Sequence, residues 1–174
     1  MADAKASYAS QLTTLLSPFA PFGTDDEAEL ATLVALRTRL PPAQGVMSYA
    51  ANVFRDWCWG EQENALSYEM VAKHLPERAS LRVLVLGSGA GRLAYDLHQQ
   101  ARVSLTVALD INPLLARIAN ELAAGREIDL QEFPLAPRRS ADVAIARTLR
   151  APTPTRQGLH FVLGDVHRPP FAEG

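Results

Sequence analysis

The sequence predicts an α/β fold, a parallel sheet with helices preceded by an all-helical N-terminal segment. Three observations carry this. Leu81-Arg82-Val83-Leu84-Val85-Leu86 is a short, nearly continuous apolar run of the kind shown by a buried parallel strand. A glycine-rich turn follows it at once, and strand-like and helix-like segments then alternate, the order that builds a parallel sheet.

The elements follow from local chemistry. Residues 1–23 end in Ser17-Pro18-Phe19-Ala20-Pro21-Phe22-Gly23, where two prolines and a glycine forbid a continuous helix. Thr24 with Asp25, Asp26 and Glu27 forms a capping-box start, and Leu30, Leu33, Val34 and Leu40 recur at helical spacing up to Pro41-Pro42. Further helices are expected over 46–57 and 61–75, separated by Gly60, the second with Leu66, Met70 and Val71 as its apolar stripe. After the first strand come a helix over 90–100, a strand over 103–109 and a helix over 113–124 that opens on Pro113. Residues 128–133 suit a short extended piece, and Ser140 caps an expected helix running to Leu149. Ala151-Pro152-Thr153-Pro154-Thr155 reads as a turn or linker, and 159–163 as a third strand ending in Gly164-Asp165. The expected division is a helical cap region over 1–78 and a sheet region over 79–174.

At 174 residues the chain suffices for one domain with a real core. Its formal charge of -2 provides no excess of cations for a phosphate backbone or an anionic membrane, so neither nucleic acid nor a membrane is an expected partner. The one cysteine, Cys58, excludes an internal disulfide framework and a multi-thiolate metal site. No signal-peptide core and no membrane-length apolar run is present, so the expectation is a soluble, cytoplasmic protein. His74, His98, His160 and His167 lack the spacing of metal ligands, and no metal site is expected.

The chemistry sits at the strand ends. Val85-Leu86-Gly87-Ser88-Gly89-Ala90-Gly91-Arg92 places glycines at alternate positions where a strand turns into a helix, so that backbone can approach a nucleotide-type ligand closely. A dinucleotide fingerprint wants its third glycine where Arg92 stands, which favours S-adenosylmethionine over NAD. Asp110, at the end of the second strand, is placed to accept from two ribose hydroxyls, while Asn112 is the better candidate to cap the next helix. After the third strand, Asp165 can accept from an adenine amino group while the Val166 amide donates to the ring. The expected cofactor-binding residues are therefore Gly87, Gly89, Gly91, Asp110, Asp165 and Val166.

Together, Gly87-Ser88-Gly89-Ala90-Gly91, Asp110 and Asp165 before Pro170-Phe171 resemble the glycine motif and the ribose-binding and adenine-binding acids of class I S-adenosylmethionine-dependent methyltransferases. A narrower resemblance covers roughly 46–171. Asn52-Val53-Phe54-Arg55-Asp56-Trp57, then Glu63 and Tyr68, then Gly89-Ala90-Gly91-Arg92-Leu93-Ala94-Tyr95 are similar to the carnosine N-methyltransferase family. That resemblance implies a Rossmann-like sheet, N-methylation of a small-molecule or peptide nitrogen of imidazole type, and a helical amide and arginine turned toward the cofactor. The matching positions are Asn52 and Arg55, where the family usually has glutamine in the first place. Arg55 suits a methionine carboxylate clamp or, alternatively, a surface pair with Glu61 or Asp56. Tyr49, Trp57 and Trp59 suit either an aromatic wall for a cationic group or core packing.

The resemblance further implies strands beyond Leu163, and the sheet is expected to be incomplete at the C-terminus. The chain then reads as a truncated piece, or as a partner in a homodimer or with a missing C-terminal half that completes the sheet. No residue is assigned as a catalytic base. The alternatives to a methyltransferase are a catalytically incomplete cofactor-binding subunit and an NAD-dependent oxidoreductase.

Overall fold

In the computed structural model the described residues are 2–19 and 49–171. The expected helix from Thr24 to Leu40 lies outside them. Helix α1 covers Ala2–Leu16, α2 Ala50–Phe54 and α3 Glu61–Ala72, and a π-turn over Arg55–Trp59 continues α2. Strands β1 (Leu81–Leu86) and β2 (Val103–Asp110) flank α4 (Arg92–His98). Helix α5 (Pro113–Ala123) is followed by β3 (Ile128–Glu132), β4 (Ile145–Leu149) and β5 (Leu159–Leu163).

The sheet β1-β2-β5 is parallel throughout, with Leu86 beside Leu109 and Asp110 beside Leu163. This is a Rossmann-like α/β arrangement, and the parallel register brings all three strand ends to one edge. Helix α5 shows why it packs as it does. Asn112 Oδ1 accepts from the amides of Leu114 and Leu115 at 3.0 and 3.3 Å, Pro113 fits the first turn, and Leu114, Leu115, Ile118, Ala119 and Leu122 form a fully buried stripe. The same core takes in Val53, Phe54 and Trp57 from the helical segment, with Tyr8, Leu12 and Leu15 of α1 packed against it. The helical segment and the sheet thus share one core.

Two local expectations are corrected. The helix expected from Ser140 to Leu149 is a short 3-10 turn over Ser140–Val143 followed by β4. Ile145–Leu149 pairs antiparallel with Ile128–Glu132, and the pairing buries Leu149, Ile128 and Leu130, which a helix at that position would separate. The stripe expected on α3 does not face the core: Leu66 and Met70 are exposed, and the buried residue is Asn64, whose Nδ2 donates to the Asp56 carbonyl at 2.9 Å.

One face of the sheet is covered by α4 and α5. On the other face Leu84 and Leu86 are half exposed, and an apolar groove lies between Arg82, Leu84, Leu105, Val107 and Phe171. Among the described residues β1 pairs only with β2, leaving its outer edge without a strand.

Candidate nucleotide-type cofactor site

The three strand ends enclose a cleft of about 640 Å³ lined by Leu86, Gly87, Leu109, Asp110, Ile111, Gly164, Asp165, Val166, His167 and Arg168. That size suits a small-molecule ligand. Gly87, Asp110, Asp165 and Val166, taken from the sequence as cofactor-binding, therefore meet in one place.

Asp110 organises the loop beside it. Its Oδ2 accepts from the Gly89 amide at 2.7 Å and its Oδ1 from the Asn112 amide at 2.8 Å. A carboxylate offers about four acceptor positions, so two bonds of this kind leave capacity to accept from a ligand. Helix capping falls to Asn112, as its side-chain bonds show.

The three glycines divide into two roles. Gly87 and Gly89 sit at φ +62° and +57°, and a Cβ on either would meet nothing within 4 Å, so the loop leaves open space above its backbone. Gly91, at φ +86°, is different: a Cβ there would lie 2.5 Å from the Phe161 ring and 2.7 Å from Ala119. It serves the packing of loop, α5 and β5 rather than the cleft.

Asp165 folds the chain after β5 into a turn by accepting from the His167 amide at 2.8 Å. His167 and Arg168, which the sequence reading did not select, reach the cleft because they occupy this turn. Their signal was adjacency to Asp165 at a strand end.

Asn52 and Arg55 are not among the residues lining the cleft. The Arg55 guanidinium binds the Asp56 carboxylate through Nε at 2.9 Å and Nη2 at 2.7 Å, with Glu63 4.0 Å away. Burial raises the Asp56 carboxyl above the usual carboxylate value, and the arginine partly opposes the shift. Of the three aromatic candidates, Tyr49 and Trp59 are exposed and Trp57 is core, so they form no common wall. Among the described residues no group of three His, Cys, Asp or Glu is arranged to hold a metal ion.

No family model matches this chain, and no curated protein matches it. Among solved structures, the YcgJ protein from Bacillus subtilis is similar, with 20% identity and a TM-score of 0.39 over 62% of this chain. The match spans 33% of the YcgJ chain. Among the described residues no helix is long and apolar enough to cross a membrane.

Proposed function

We propose that this chain forms the S-adenosylmethionine-binding part of a class I methyltransferase acting in the cytoplasm on a small-molecule or peptide nitrogen, an imidazole-type acceptor by family resemblance. The observation that carries the reading is the convergence of Gly87, Asp110, Asp165 and Val166 on one cleft, beside a loop whose Gly87 and Gly89 leave space for close approach. When bound, the cofactor supplies an electrophilic methyl group on a sulfonium.

The chain's own residues bind and orient. Asp110 accepts from ribose hydroxyls with its remaining lone pairs while holding Gly89 in place. Asp165 and the Val166 amide present an acceptor and a donor to a purine edge, and Leu86, Leu109 and Ile111 supply apolar contact. Methyl transfer is an in-line displacement helped chiefly by positioning, so these contacts matter through the geometry they impose.

A second reading is a cofactor-binding subunit without turnover of its own. It is favoured by Leu86, which lines the cleft yet is 52% exposed on β1, whose outer edge pairs with no strand among the described residues. A second chain packed on this open face would cover Leu84 together with Leu105 and Val107. Sedimentation of the parent and of Leu84→Glu tests the association this reading needs: concentration-dependent association lost in the variant supports it, and a monomer at all concentrations opposes it.

The cofactor reading is tested by calorimetric titration with S-adenosylhomocysteine, alongside Asp110→Ala and with NAD as competitor. Micromolar binding weakened at least tenfold in the variant is the expected result, since each lost charge-assisted hydrogen bond is worth about 1.5–3 kcal/mol. Absence of binding by a folded chain, or displacement by NAD at lower concentration, would overturn it.

A further inference from the structure

The glycine loop is bolted to the helical segment by two residues outside the cleft. Trp57 is buried, and its indole Nε1–H donates to the Ala90 carbonyl at 2.8 Å across 33 positions of sequence. Arg92 Nη1 donates to the Asp56 carbonyl at 2.9 Å, while its Nε reaches both Asp96 carboxylate oxygens at 3.0 Å. The guanidinium carbon lies 5.4 Å from the Trp57 ring centroid and 5.9 Å from that of Tyr95. Such cation–π contacts strengthen when water is excluded.

The π-turn builds the attachment. The Gly60 amide donates to the Arg55 carbonyl at 2.7 Å, five residues back, and a Cβ on Gly60 would lie 2.4 Å from that oxygen. Glycine is therefore required for the turn to close. The Asp56 carbonyl accepts from both Arg92 and Asn64, and π-turns of this kind recur at functional sites.

We propose that Trp57 and Arg92 are positioning residues for cofactor binding. Acting through Ala90 and the first turn of α4, they hold Gly87–Gly91 in its open, positive-φ conformation, so that the helical segment sets the affinity of the cleft. This rests on the cofactor reading above. Neither side chain lines the cleft.

The test uses the full chain, with Trp57→Phe to remove the indole donor and keep a ring, Arg92→Lys to keep charge and remove the fork, and Leu130→Ala on β3 as a core control outside the helical segment. Two quantities are read under native conditions: hydrogen exchange of the Ser88 and Gly91 amides, which bond the Leu109 and Ser88 carbonyls, and the dissociation constant for S-adenosylhomocysteine. The expected result is exchange and dissociation constant both rising about fivefold in Trp57→Phe and Arg92→Lys, the worth of one buried hydrogen bond, and neither rising to that extent in Leu130→Ala. Should Trp57→Phe not fold, Arg92→Lys decides. Values within twofold of the parent in a folded variant, or changes equalled by Leu130→Ala at the same loss of Tm, overturn the proposal. A parent that binds no S-adenosylhomocysteine overturns the cofactor reading instead, and an unchanged loop exchange in the variants then overturns the positioning role separately.

Discussion

The Gly89 amide donates to Asp110 Oδ2 at 2.7 Å, joining the turn after β1 to the end of β2. The same carboxylate takes the Asn112 amide on its other oxygen. Asp110→Asn keeps one good acceptor and replaces the other with a donor facing an amide. The expected loss of stability is about 1–3 kcal/mol by urea denaturation, because a bond to a charged group is lost and a backbone donor is left without its acceptor.

Gly89→Ala and Gly91→Ala separate the two roles of the glycine loop. Both place a side chain at positive φ, which costs roughly 1–2 kcal/mol. At Gly91 the new methyl also meets Phe161 and Ala119, adding about 1–3 kcal/mol of overpacking. Thermal unfolding should show a larger fall in Tm for Gly91→Ala. The titration with S-adenosylhomocysteine should show the larger loss of affinity per unit of lost stability for Gly89→Ala.

His98 ties stability to pH. It is fully buried, with Nδ1 3.0 Å from Thr106 Oγ1 and Nε2 3.2 Å from the Gln157 carbonyl. Burial lowers its pKa below the usual histidine value of 6.5, the Gln157 bond opposing the shift. The unfolded chain therefore binds more protons just below pH 6.5 than the folded one, so the contribution of neutral His98 is present above that pH and lost as pH falls through its folded pKa. Unfolding followed from pH 8 to 5 should show the parent losing stability faster than His98→Gln. Parallel curves would show that His98 does not titrate in this way.

Asn112→Ala removes the cap of α5 without touching the apolar stripe. The expected cost is about 1 kcal/mol in chemical denaturation, the usual worth of an N-cap, with Asn112→Asp retaining most of it.

The parallel strands, the glycine turn and Asp110 were legible because each is a local pattern: a continuous apolar run, a turn residue where φ is positive, an acid at a strand end. Asn112 as cap followed from the same local chemistry, with Pro113 next to it. Residues 140–149 read as a helix because Ser140 suits a cap, and nothing local to them reveals Ile128–Glu132 as a partner strand. The outward turn of Leu66 and Met70 was equally invisible, since a helical stripe gives its period and not what lies opposite.

By itself, then, the sequence determined the α/β class, the order of its parallel strands along the chain and the residues at their carboxyl ends. Tertiary structure decided which of those residues meet. It paired β3 with β4, committed Arg55 to Asp56, gave Gly91 to packing and brought Trp57 onto Ala90. The physical reason is range: dihedral preference and hydrophobic period act over a few residues, whereas hydrogen-bond partners and clashes depend on segments that only folding brings together.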